Sequence, residues 1–287
     1  MNSLIFAWIA SITYGLYAVT AKLIGKYQLK NSNQFSFFIT LFSGIIMSAI
    51  SYYNGGRIAT EWTYILLAGL FLSIGSAFYL ATLKVLDVSV MSPLFNVRVA
   101  ITVILGAIFL GESLTTKSVY LIILIFIAGF FATMDERFSI KAFLNKNIGI
   151  GLFFMFILSI QSLLINRAID QTNYWTAMLW MSILAPIFSF LFLYPKFKHD
   201  LPNTKLNQYI GVLILSVIGG IGDLSAYKAF EGNVGLSSVI ISLPVSMVLA
   251  FVLSLWKPDL MEKHPIKVYT VRFLAAGVMI WSALQLK

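Results

Sequence analysis

Two residues concentrate the chemistry available to this chain. One is Arg98, within "MSPLFNVRVAITVILGAIFLGE" (91–112); the other is Asp223, within "SVIGGIGDLSAYKAF" (216–230). Each is a charge inside a run apolar enough to cross a membrane. A central arginine costs roughly 2.5 to 3.5 kcal/mol on insertion scales. It stays protonated in proteins, and from the midplane the interface is about 15 Å away, beyond the reach of a snorkelling side chain. Arg98 is therefore expected to face the interior of a helix bundle and to meet an anion or a water-filled cavity. Structural pairing and contact with a substrate or gate are nearly balanced explanations. Asp223 is the one acid that falls well inside a span, and an Arg98–Asp223 pair would make both charges tolerable. Such a pair is also a potential switch. An anionic or zwitterionic substrate would compete for Arg98, or protonation of Asp223 would release it, so any proton coupling is assigned to Asp223.

Other polar positions are weaker candidates. Asn96 precedes Arg98 by two residues and so points about 200° away around the helix. Gln161 and Asn166 lie in a later span. Such amides can bind a substrate, but more often they bridge helices, at about 0.6 kcal/mol each. Tyr79 and Trp180 fall deeper in their spans than Trp8, Trp62, Trp175, Trp256 and Trp281, which sit near span ends as an aromatic belt requires. The deeper pair could enclose a ligand cation, although packing is the commoner use. Pro93, Pro186 and Pro244 fall within spans and act either as hinges or as static kinks. Gly219, Gly220 and Gly222 thin the helix before Asp223, for close approach of a ligand or, more commonly, for tight helix packing.

The elements that must position these residues are helices. The chain has 287 residues, 59% of them hydrophobic and only 11% charged, against about 25% charged in soluble domains. Spans fall at 3–24, 34–53, 62–83, 88–110, 118–134, 148–168, 174–194, 207–229, 235–256 and 268–285. Each suits a hydrocarbon core about 30 Å thick, where only helices or closed barrels satisfy their backbone groups. The N-terminus lacks a positive n-region and its apolar run is long, so it reads as an uncleaved first span. The net charge of +9 is scattered through short loops and does not indicate nucleic acid.

The loop at 135–147 separates five spans from five. At an offset of about 147 residues Gly75 meets Gly222, and Glu112 meets Asp259; with one residue of slippage Gly129 meets Gly277. At about 145, Lys22 meets Arg167. An odd number of spans per repeat makes the halves inverted, the plan of many secondary transporters.

Three stretches carry a resemblance to a known family: "TYGLYAVTAK" (13–22), "AFYLATLKVLDVSVMSPL" (77–94) and "LGAIFLGESLT" (105–115). They are similar to the drug/metabolite transporter superfamily, EamA-type ten-helix branch. The second half is more divergent: "AYKAFEGNVGLSSVIISLPV" (226–245) keeps the general shape, and "LWKPDLMEK" (255–263) replaces the Gly-Glu close. The resemblance implies a carrier that moves a small metabolite without ATP hydrolysis, from a central cavity lined by both halves. It gives Glu112 and Asp259 a role at helix ends. Small multidrug carriers of that superfamily place an acid in the first helix, where "SITYGLY" has Tyr14, so their antiport mechanism is not copied here.

Orientation is read in two ways. Connections after odd-numbered spans hold thirteen basic residues (Lys22, Lys26, Lys30, Lys84, Arg137, Lys141, Lys146, Lys196, Lys198, Lys205, Lys257, Lys263, Lys267). Those after even-numbered spans and the C-terminus hold five (Arg57, Lys117, Arg167, Lys228, Lys287). The positive-inside rule then puts both termini outside, whereas the resemblance implies termini inside; the direct count is preferred. There are no cysteines, His199 and His264 are far apart, and no phosphate loop, HExxH or nucleophile elbow occurs.

The resulting expectation is an all-α polytopic protein of the plasma membrane, with ten helices in two inverted repeats (1–134 and 148–287) joined by 135–147. It is expected to be no enzyme and to need no cofactor or metal. It would be a secondary transporter of a small polar metabolite, an amino acid or other zwitterion or anion, working by alternating access, with export favoured. Substrate binding or gating is assigned to Arg98, Asp223, Asn96, Gln161, Tyr79 and Trp180. The expected partners are the small-molecule substrate and the lipid bilayer, with a homodimer allowed and nucleic acid excluded. The alternatives are a flippase for a lipid-linked sugar and a non-transporting scaffold or receptor.

Overall fold

Apolar runs of this length form helices because a helix saturates its own backbone groups in hydrocarbon, and the regular structure of the computed structural model is helical among its described residues, 3–110, 115–133, 145–230, 240–257 and 264–285. Ten α-helices occur there: α1 (Ser3–Tyr27), α2 (Ser32–Tyr53), α3 (Thr63–Val85), α4 (Val88–Leu110), α5 (Thr116–Ala132), α6 (Lys146–Gln171), α7 (Tyr174–Phe197), α8 (Leu206–Phe230), α9 (Val245–Trp256) and α10 (Ile266–Gln285). Eight are long and apolar enough to cross a membrane; α5 and α9 are shorter. Glu112, Asp259 and most of the 135–147 connection lie outside the described residues.

Local chemistry sets the helix starts. Asn31 accepts from the backbone N–H of Asn33 and Gln34 ahead of α2, at 2.9 and 3.3 Å. Thr115 caps α5 through the Ser118 N–H, and Asn173 caps α7 through the Thr176 N–H. Each satisfies donors that a helix N-terminus leaves open. The span expected at 235–256 is not one continuous helix. Residues 240–241 are helical, Ser242 and Leu243 turn, and α9 begins at Val245 with Pro244 as its cap (φ −78°, ψ 49°). Proline has no N–H to bond back into a preceding turn, so the helix restarts there.

The residue pattern is that of a protein solvated by lipid. Large apolar side chains such as Ile108, Leu191 and Leu274 are exposed, whereas Ala7, Ala10, Ala68, Ala177, Ala250 and Ala276 are buried. Without a hydrophobic drive between helices, small residues and hydroxyl pairs set the packing.

The chain groups into two compact units. The first comprises Met1–Thr20, Val85–Phe156 and Ile221–Lys287, and the second Ala21–Lys84 and Ile157–Gly220. The boundaries fall inside α1, α6 and α8 and at the last residue of α3. The second unit shows the small-residue logic plainly. α2 and α7 pack along their length, and a Cβ on Gly44 would lie only 2.5 Å from the Ser182 carbonyl oxygen. Only a glycine allows those backbones to approach so closely. Ser36 and Thr40 on α2 bond the Ser76 hydroxyl of α3 at 3.0 and 3.1 Å. Ser73 on α3 bonds Ser189 on α7 at 2.9 Å, both buried. Where the α1–α2 connection meets the segment after α7, Lys30, Lys84, Asn31 and Asp200 help line an open polar hollow of about 710 Å³. Asp200 there accepts a hydrogen bond from the Asn31 amide.

A double-mutant cycle on Ser73→Ala and Ser189→Ala should give a coupling of about 0.6 kcal/mol. Unfolding in mixed detergent micelles measures it; strictly additive single effects would mean the two hydroxyls do not bond each other.

Candidate functional site

The first unit gathers the charges. Its organising element is α4, on which α5, α9 and α10 all pack. Ser89, Ser92 and Asn96 fall within about 60° of one another around that helix. Each is buried and each finds a partner on this face. Ser89 accepts from the Arg272 guanidinium of α10, itself 2% exposed. Ser92 accepts from Ser246 of α9 at 2.8 Å. Asn96 Oδ1 accepts from Ser242, in the turn before α9, at 3.2 Å, and its amide donates to the Pro93 carbonyl at 3.3 Å. At the start of the helix Asp87 meets His264 at 2.7 Å. Polar contacts thus tie one face of α4 to the last two helices. Arg98 projects from roughly the opposite side, at the eleventh of the helix's 23 residues.

On that side Arg98 lies within electrostatic reach of the hydroxyls of Tyr14 on α1 and Tyr227 on α8. Asp223 and Tyr227 are four residues apart and share a face of α8, as Tyr14 and Tyr17 do on α1. The decisive contact is the Tyr14 hydroxyl donating to Asp223 Oδ1 at 2.6 Å. The Tyr17 hydroxyl also lies in the field of that carboxylate. Arg98, Asp223 and Tyr14 are all partly accessible and are not sealed in the core. The hydrogen bond that the Asp223 carboxylate accepts among the described residues comes from Tyr14, where the sequence pointed to Arg98 as its partner. A phenol supplies a strong donor with no charge to desolvate, so it satisfies a carboxylate more cheaply than a guanidinium does.

Gly222 makes that contact possible. A Cβ there would lie 2.8 Å from Tyr14 Cε1 and 2.9 Å from Cδ1. The tyrosine ring therefore lies on the bare backbone of α8, with its hydroxyl over the next residue, Asp223. At Gly222 the glycine run serves tight helix packing, the commoner of the two readings, with an α1 side chain lying on α8. At Gly220 the nearest atom to an added Cβ is Met47 Sδ at 3.6 Å, an ordinary contact.

The remaining candidates have other surroundings. Asn96 joins α4 to Ser242, the bridging use of an amide. Gln161, Tyr79 and Trp180 belong to the second unit. Gln161 on α6 lies against Gly75 of α3, its Oε1 2.5 Å from where a Cβ would stand. Tyr79 is half-buried on α3. Trp180, expected deep in its span, is tied to the α2–α3 connection: its indole N–H donates to the Arg57 carbonyl at 2.8 Å and its ring meets Trp62 edge-on. Tyr14, Tyr17 and Tyr227 were not singled out from sequence as partners of the charges. The signals available were the four-residue spacing of Asp223 and Tyr227 and the bare Gly222 beside the acid. Among the described residues no group of His, Cys, Asp and Glu is placed to hold a metal.

Gly222→Ala should lower the melting temperature in detergent by the equivalent of about 1–3 kcal/mol, because the Tyr14 ring must move. Gly220→Ala should leave it nearly unchanged. Equal shifts for the two would mean that the ring does not rest on Gly222.

No curated protein matches this chain. A solved crystal structure of a protein matches it over 98% of this chain and 94% of its own, with a TM-score of 0.61 and 12% identity. A likeness at that identity concerns the fold alone. The family model of the EamA-like transporters matches residues 1–134, the stretch holding "TYGLYAVTAK", "AFYLATLKVLDVSVMSPL" and "LGAIFLGESLT". With its run of apolar helices the chain is an integral, multi-pass membrane protein, and its residues 1–134 are similar to the EamA-like transporter family.

Proposed function

We propose that this protein is a secondary transporter of a small polar metabolite, an amino acid or other zwitterion or anion, working by alternating access in the plasma membrane, with export as its direction. The observation that carries the reading is the group formed by Arg98, Asp223 and Tyr14 inside membrane-spanning helices. A guanidinium suits a substrate carboxylate, a carboxylate suits an ammonium group, and both side chains are partly accessible. Ionisable side chains within spans are costly and are kept mainly for such pathways.

The reading includes two inverted five-helix repeats, 1–134 and 148–287. Its support is a pair of matching contacts at one offset. Tyr14 lies on Gly222, and Gln161, 147 residues after Tyr14, lies on Gly75, 147 residues before Gly222. Duplicated, inverted halves are how many carriers build a site that opens to either side.

A proteoliposome uptake screen across amino acids, organic anions and sugars tests the function, with Arg98→Ala as the control. Saturable uptake of at least one zwitterion or anion is expected, reduced about tenfold or more in the variant, the loss typical of a charge-assisted bond. No uptake by intact, folded protein would favour a lipid-linked sugar flippase or a non-transporting scaffold. Wild-type rates for Arg98→Lys and Asp223→Asn would remove those residues from the site.

A further inference from the structure

We propose that the polar hollow of the second unit binds the phosphate of an anionic phospholipid, with Lys30 and Lys84 as its charge partners. All of its lining residues belong to that unit, whereas Arg98 and Asp223 belong to the first. The proposal therefore goes beyond the transport reading and does not depend on it.

The polar residues of the hollow divide into two sets. One set bonds to itself and builds the wall. Asn31 donates its amide to Asp200 and to the Lys196 carbonyl. Gln34, only 2% exposed, donates to the Thr204 hydroxyl at 2.8 Å and to the Tyr209 hydroxyl at 3.1 Å. Gln208 donates to the Gln28 carbonyl at 2.6 Å. These bonds tie the α1–α2 connection and the first turn of α2 to the segment that runs from the end of α7 into α8.

The second set is left over. Lys30, Lys84, Ser32, Asn33 and Asn203 line the same hollow of about 710 Å³. Among the described residues none of their side chains makes a hydrogen bond or an ion pair. Two ammonium groups supply charge, and a hydroxyl and two amides supply neutral donors, which together suit the several oxygens of a phosphate. The lining has one acid, Asp200, and one of its oxygens already accepts from Asn31. The open end of α2 is not what holds the anion, since the N–H groups of Asn33 and Gln34 donate to Asn31.

Position selects a lipid over a soluble phosphate. Tyr27 closes α1, Ser32 opens α2 and Lys84 lies in the last turn of α3. The hollow thus sits where spans end, at the depth of the headgroups. Its residues come from connections after odd-numbered spans, the side on which the basic residues concentrate. Basic pockets between spans on such a side hold anionic headgroups, at about fivefold in affinity for each lysine near the surface.

The test uses the full chain in a neutral detergent, with binding read from thermal shift and native mass spectrometry. The probes are short-chain phosphatidylglycerol, short-chain phosphatidylcholine and inorganic phosphate. Phosphatidylglycerol should bind saturably and at least tenfold more tightly than either of the others. Lys30→Gln and Lys84→Gln should each weaken it about fivefold. Asp200→Asn should tighten it by a similar factor, while its amide oxygen still accepts from Asn31. Lys198→Gln removes the same charge from the same side but outside the hollow, and should change little. An equal loss for Lys198→Gln would mean a diffuse surface charge and overturn the proposal. So would equal binding of the two lipids. Inorganic phosphate binding as tightly as phosphatidylglycerol would overturn the assignment to a lipid.

Discussion

A carboxylate inside an apolar bundle must be given a hydrogen-bond donor by the protein itself, since neither lipid nor bulk water supplies one. In this molecule the donor for Asp223 is Tyr14, and much of the first unit serves that contact. Gly222 clears the surface of α8 for the ring. Gly15 lets α1 lie close enough to α9 to hold it there. On the other side of the site, α4 is fixed by Ser89, Ser92 and Asn96, all bonded towards α9 and α10. That fixed face obliges Arg98 to project the opposite way, towards Tyr14 and Tyr227.

The break before α9 belongs to the same arrangement. A helix interrupted within a membrane leaves backbone groups that need other partners, which restricts such breaks to places lined by protein. Here Ser242, in the turn before Pro244, donates to the buried Asn96, and Ser246 in the following turn donates to Ser92. The interruption therefore faces polar side chains of α4, on the face turned away from Arg98. One helix is thus polar on two sides for different reasons: one face anchors it, and the other presents a charge.

Glycine and hydroxyl pairs do throughout this chain what large apolar residues do in a water-soluble core. Gly44 brings α2 and α7 together, and Ser73 meets Ser189 between α3 and α7. Gly75 and Gly222 each receive a much larger side chain from another helix, Gln161 and Tyr14. In lipid an exposed leucine costs nothing, so packing depends on how closely backbones approach and on which polar atoms find each other.

The helical class and the run of spans were legible in the sequence, because hydropathy reports directly on the solvent of each segment. So was the position of Arg98 at the middle of α4, and so was the likeness to the family, from local strings such as "LGAIFLGESLT". The two charges were legible as anomalies, since a charge in an apolar run needs no neighbour to be conspicuous. Their partners were not. Opposite charges attract in any reading of a one-dimensional string, so Asp223 was assigned to Arg98. A tyrosine in an aromatic-rich helix gives no sign that it lies on a glycine 208 positions away. Trp180 likewise looked deep by its place in the chain, yet its indole N–H is bonded to the α2–α3 connection. The sequence by itself determined which segments lipid accepts and where a charge must be sheltered. Only the tertiary structure decided which side chain shelters it, because hydrogen bonds act over about 3 Å and depend on helix rotation and approach that hydropathy does not encode.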